Sequence, residues 1–147
     1  MKAVLFSTLL AAVLLASCSN EIQESKVPSV VKNTLVTTFS YTGPVDWEKE
    51  QGNYEAEFRE DTLGYKALIS PQGVLLRYKE PIAPSDLPAP VQQVLQEQYR
   101  DHGVEDLEKL VMGEQAYYQL ELEKGLKELQ VVITADGMIT NAVRYWD

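Results

Sequence analysis

The sequence predicts an α+β protein written as a tandem duplication, each copy a helix followed by a four-stranded antiparallel sheet. Three observations predict it. Ser25-Lys26-Val27-Pro28 aligns with Ser85-Asp86-Leu87-Pro88, and at the same offset Val31, Leu35 and Phe39 fall on Val91, Leu95 and Tyr99. Asp46-Trp47-Glu48-Lys49 falls on Asp106-Leu107-Glu108-Lys109, and after a short insertion Tyr54, Glu57 and Phe58 match Tyr118, Glu121 and Leu122. Within each copy the apolar period changes from four to two, as it does where helix gives way to strand.

Each copy opens with a helix. Val27, Val31, Leu35 and Phe39 form one apolar stripe, and Leu87, Val91, Leu95 and Tyr99 form its counterpart. Pro28 and Pro88 suit a first helical turn, where no backbone donor is lost, and Ser25 and Ser85 offer caps upstream. The first helix is rich in β-branched residues (Val30, Val31, Thr34, Val36, Thr37, Thr38), so it must lean on packing against a sheet. Strands are expected near 45–51, 54–60, 65–70 and 74–79, and again near 105–112, 116–123, 127–134 and 138–145. Tyr54-Glu55-Ala56-Glu57-Phe58 and Tyr118-Gln119-Leu120-Glu121-Leu122 alternate apolar with polar residues, and glycines punctuate the runs. The copies span 27–82 and 87–147. Either one alone is too small for a stable core, so one pseudo-symmetric domain over 27–147 is expected.

Composition removes most chemistry. One His and one Cys among 147 residues cannot supply a His/Cys metal site, an iron–sulfur cluster or a disulfide. Net charge −9 argues against nucleic acid, since phosphate binding needs clustered Lys and Arg. No cofactor and no catalytic constellation is identifiable. His102, before Gly103, reads as a helix-end residue whose charge favours the terminal carbonyls.

The amino terminus reads as an address. Met1-Lys2 is positive, and Ala3 to Leu15 carries no charge but is too short to span a bilayer. Leu15-Ala16-Ser17-Cys18 resembles a bacterial lipobox, which implies a signal peptide over 1–17 and lipid attachment at Cys18. Stable anchoring takes two or more acyl chains. Ser19, which is not an aspartate, favours the outer membrane by the same resemblance. Residues 18–26 are polar and read as a tether.

Val27-Pro28-x-x-Val31 and Leu87-Pro88-x-x-Val91, then Asp46-Trp47-Glu48-Lys49, then Tyr54-x-Ala56-Glu57-Phe58, resemble the PepSY-like, β-lactamase-inhibitor-like family of secreted bacterial proteins. The resemblance covers about residues 25–145. The second copy departs from it at Leu107, where the family shows Trp, and in the extra residues from Met112 to Gln115. The resemblance implies helices on one face of a curved antiparallel sheet, with the other face open. With no catalytic constellation in the chain, the expectation is a non-catalytic, protein-binding or inhibitor-like envelope lipoprotein whose open face meets an unidentified envelope protein. Inhibition of a β-lactamase or peptidase would be analogy only. A small-ligand or glycan binder, using tyrosines in the groove between copies, is the competing expectation.

The outer face supplies the candidate residues. A two-residue turn at Gln51-Gly52 sets Trp47 against Ala56 on the core side. The same register sets Glu48 against Glu55 and Asp46 against Glu57 on the outer side. The second copy sets Asp106 against Glu121 and Glu108 against Gln119. Like charges directly opposite destabilise a sheet. A solvated face relieved by Lys66, a basic partner surface and a divalent cation all account for them, though strands offer calcium few oxygens. If the face is open, Gln at 48 and 55 should leave folding unchanged or firmer. Tyr117, Leu68 and Val132 share this face as apolar candidates. Whether Leu75 or Leu76 faces out depends on the turn at Gly73. Tyr145-Trp146 would close the last strand or cover an edge.

Overall fold

The computed structural model describes residues 20–147. The expected signal peptide over 1–17 and the expected lipid-attachment residue Cys18 lie outside the described residues. Eight strands form one antiparallel sheet in chain order: β1 (Glu21–Ile22), β2 (Val45–Glu50), β3 (Asn53–Glu60), β4 (Leu63–Ile69), β5 (Leu75–Pro81), β6 (Gly103–Met112), β7 (Gln115–Lys124) and β8 (Lys127–Thr134). Helix α1 (Ser29–Phe39) joins β1 to β2, and α2 (Ala89–Gln98) joins β5 to β6. The sheet is curved and does not close. Part of the expected tether is ordered, because Glu21 and Ile22 pair with Glu48 and Trp47.

The helices form where the stripes predict. Val31 and Leu35 of α1 are buried, as are Val91 and Val94 of α2. Leu95 and Tyr99 are only partly covered. The helix starts differ from expectation. Pro28 and Pro88 sit at the N-caps, one residue outside each helix, with no side-chain cap. Ser25 and Ser85 lie in single 3-10 turns just upstream, at Glu24–Lys26 and Pro84–Asp86. Held in those turns three residues before each proline N-cap, the serines do not cap the first N–H groups of the helices.

The first apolar cluster gathers Val31, Leu35, Trp47, Ala56, Phe58 and Ile69 under α1. Its counterpart gathers Val91, Leu107, Tyr118, Leu120, Leu122 and Ile133 under α2. Gly73 and Gly137 hold corresponding hairpin tips beneath the two helices. Both have positive φ, 81° and 87°. A Cβ on Gly73 would lie 2.6 Å from Val30 Cγ2, and one on Gly137 would lie 3.0 Å from the Pro90 carbonyl oxygen. The Thr34 hydroxyl also donates to the Gly73 carbonyl at 2.7 Å, which ties α1 to its sheet.

Register follows the hairpin turns. Gln51 and Gly52 both adopt positive φ, the conformation of a two-residue turn matched to strand twist. Trp47 pairs with Ala56, Glu48 with Glu55 and Asp46 with Glu57. In the other half Leu107 pairs with Leu120, Glu108 with Gln119 and Asp106 with Glu121. The residues around Met112–Gln115 lengthen the β6–β7 hairpin rather than forming a separate loop. At Gly73 a register shift between Leu68 and Ile69 resolves the open choice: Leu75 packs inward, and Leu76 is exposed.

One expected strand is missing among the described residues. Residues 138–145 form a single bridge, Ile133 to Ile139, with backbone bonds from Thr134 N–H to Met138 O and from Thr140 N–H to Val132 O, both at 2.9 Å. The second half therefore has three strands, not four. The chain then leaves the β8 edge and crosses the face opposite the helices.

Candidate functional site

The crossing segment ends at Trp146, which is 7% exposed. Strand alternation aims a row of long polar side chains outward from β3 to β7, and the curved sheet gathers them around this ring. The Gln119 amide reads both backbone groups of Trp146. Its Oε1 accepts the Trp146 N–H at 3.3 Å, and its Nε2 donates to the Trp146 carbonyl at 2.9 Å. The Lys79 ammonium donates to the same carbonyl at 2.8 Å. The indole N–H donates to Glu55 Oε2 at 3.1 Å, and the Arg77 guanidinium lies 4.0 Å from the ring centroid. That distance is within cation–π range. Both carboxylate oxygens of Glu50 accept from Arg77 Nη2 at 2.9 Å and hold the guanidinium there.

The charges beneath the ring are paired. Lys79 and Gln119 both donate to Glu108 Oε2, at 3.0 and 2.7 Å. Lys66 contacts Glu57, Glu55 at 3.1 Å and the Asp147 carbonyl. Burial alone would lower the pKa of Lys66, but the Glu57 and Glu55 carboxylates outweigh it and raise the net value. Tyr145 lies over the other end of the face. Its phenol is pushed well above its ordinary value, first by burial and then by the Glu108, Asp106 and Glu121 charges.

This arrangement revises the open face. Glu55, Glu108 and Gln119 are buried, at 8%, 6% and 0% exposure. Leu68 and Val132 are buried too, and Leu68 joins Leu110 and Trp146 in a small apolar cluster flanked by Tyr117. Asp46, Glu48, Glu57 and Asp106 remain exposed, and Glu121 is half-buried. Of the cross-strand carboxylate pairs, Glu48–Glu55 divides: Glu48 faces water, while Glu55 is spent on Lys66 and the indole. Among the described residues no group of three or more His, Cys, Asp and Glu is placed to hold a metal ion.

His102 follows the end of α2, edge-on to Tyr99 at 5.5 Å between ring centroids. Lys79, Arg77, Gln119 and Trp146 are functional candidates that sequence reasoning did not single out. Strand parity alone could have placed the first three on this face. An adjoining cleft of about 510 Å³ opens at the sheet end near Asp147, lined by Tyr41, Phe58 and Tyr65 and sharing Lys66, Lys79 and Glu108 with the network under Trp146.

The fold is that of several solved bacterial proteins. A BLIP-like protein from Bacteroides fragilis superposes with a TM-score of 0.64 at 16% identity, over 78% of this chain and 83% of that one. A DUF2874 family protein from Bacteroides uniformis gives 0.67 at 17% identity, over 76% and 85%. A protein provisionally described as periplasmic, from Bacteroides eggerthii, gives 0.69 at 16% identity, over 77% and 85%. No family model matches the sequence, and no curated protein is similar enough to carry a family assignment.

Proposed function

We propose that the chain is a non-catalytic lipoprotein of the bacterial cell envelope, anchored at Cys18, that binds another polypeptide through the sheet face opposite its helices. One observation carries this reading: the face already holds a main-chain segment by its backbone N–H and C=O, through Gln119 and Lys79. The BLIP-like and periplasmic descriptions of the similar structures support an envelope setting, and the lipobox supports the anchor. The two halves are read as diverged copies of one unit, the second having given up its last strand to form the crossing segment.

The test is in vivo. A photo-crosslinking residue placed at exposed Glu48 or Asp106 should capture one envelope protein, whereas the same residue at Lys26, away from the face, should not. Equal capture from both places would overturn the reading. Cys18→Ser should abolish fatty-acid labelling and release the protein from membranes. Retention at the wild-type level would remove the lipid anchor from the proposal. The cleft beside Tyr41 and Tyr65 favours a second reading, a small-ligand or glycan site. It predicts quenching of aromatic fluorescence by sugars that Tyr65→Ala abolishes.

A further inference from the structure

Residues 143–147 cover the face with one buried side chain, Trp146, beside the half-buried Val143 and Tyr145, and Asp147 accepts from Lys66 and Gln130. Among 138–147 only Trp146 is buried, and Asn141, Ala142, Arg144 and Asp147 are exposed. Beneath that one ring lies more recognition chemistry than a clasp needs. Buried ion pairs seldom add stability over apolar packing, so a network of this kind is better matched to selecting what lies on it. Gln119 and Lys79 read any extended main chain. Glu55 and Arg77 read an indole, by its N–H and its π-face. Lys66 reads the next carbonyl along the chain.

We propose that segment 143–147 is a displaceable plug, and that the seat under it takes, in trans, an extended peptide carrying an exposed tryptophan. This rests on the binding reading above and names the partner's chemistry. The plug keeps charged groups covered until such a partner competes for them. Its advantage is proximity: a tethered segment acts at an effective concentration on the order of millimolar, which a strong partner overcomes and a weak one does not.

The probe is a labelled synthetic peptide with the sequence of residues 140–147, followed by anisotropy against the full chain. Trp146→Ala, which vacates the seat, should bind it at least about tenfold more tightly than wild type, since the native plug competes. A peptide with Ala in place of its Trp should bind neither protein. Gln119→Leu in the Trp146→Ala background should weaken binding about tenfold, the loss of a pair of buried hydrogen bonds. A folded Trp146→Ala chain that ignores the peptide, or binds it with or without its Trp, would overturn the proposal. So would wild-type copies that trade tails into a dimer, because the seat would then serve its own chain. Should Trp146→Ala fail to fold, a protease site between Thr140 and Asn141, cut after folding, leaves the native tail free to exchange. Replacement of that tail by excess labelled peptide is expected; a cut chain that melts or never exchanges overturns the idea. Crosslinking from Glu48 without peptide exchange would leave the face a docking surface and discard only the plug.

Discussion

Trp47 and Trp146 bury their indoles against opposite faces of one sheet, at 2% and 7% exposure. Around Trp47 the neighbours are Val31, Leu35, Ala56 and Phe58, and its N–H has no hydrogen-bond partner among the described residues. Trp146's own N–H, carbonyl and indole N–H are all engaged, by Gln119, Lys79 and Glu55. The difference teaches what each cover does. Helices with apolar stripes close the first face by area, which is non-directional and large. An irregular segment closes the second by matched hydrogen bonds, which contribute less stability and more selectivity.

The largest effect should come from breaking the first face. Trp47→Ala should cost about 3–5 kcal/mol, the range for deleting a buried aromatic from a core. Urea unfolding measures it. A loss below about 1 kcal/mol would mean that the helix-covered face does not depend on this ring.

A smaller effect should separate two carboxylates that stand opposite each other. Glu48→Gln alters an exposed group and should change stability by no more than about 0.5 kcal/mol. Glu55→Gln removes the buried charge that faces Lys66 and the Trp146 indole, so it should cost about 1–3 kcal/mol. An open face would have made both changes neutral or stabilising. Parallel denaturation of the two single variants decides between equal and unequal outcomes, and unequal is expected. Red-shifted Trp fluorescence in Glu55→Gln alone would place the loss at Trp146.

The contrast between faces also explains which parts of the fold were legible. Turn chemistry at Gln51-Gly52 and apolar alternation set the β2–β3 register and with it Glu48–Glu55, and the duplication carries the same pairing to Asp106–Glu121 in β6–β7. Those are local signals: a turn of two residues and a period of two. The path of residues 141–147 carries no such signal. Ala142-Val143-Arg144-Tyr145-Trp146 alternates well enough to read as a strand, and strand was the expectation. What overrides it is a contact between Trp146 and Glu55, far apart in sequence, which no periodicity encodes. The solvated-face reading holds for Asp46, Glu48, Glu57 and Asp106, which stay exposed with Lys66 beside Glu57, and does not reach Glu55 and Glu108, which are buried. Lys79 and Gln119 were visible as outward-facing strand residues, but their role depends on what lies above them.

The last comparison sits within the covered face, between its two ends, and alkaline pH probes it. Tyr145 is held in its neutral form by burial and by the neighbouring Glu108, Asp106 and Glu121. Its folded-state pKa is raised, so its contribution to stability is complete below the unfolded phenol value of about 10 and is lost as pH rises toward the folded value. Lys66, at the other end, is raised above 10.5 by Glu57 and Glu55, and its contribution fades in the same direction but from a slightly higher starting point. Both ends therefore weaken the plug in alkali, and the sign alone does not separate them. Tyr145→Phe does, because the ring stays and only the titrating hydroxyl goes. Between about pH 10 and 11 the wild type should lose stability faster than Tyr145→Phe, while at pH 7 the two should nearly coincide. Urea midpoints at a series of pH values measure the difference. Parallel curves across that window would mean that Tyr145 does not rest on the acidic end of the face, and that Trp146 alone holds the segment down.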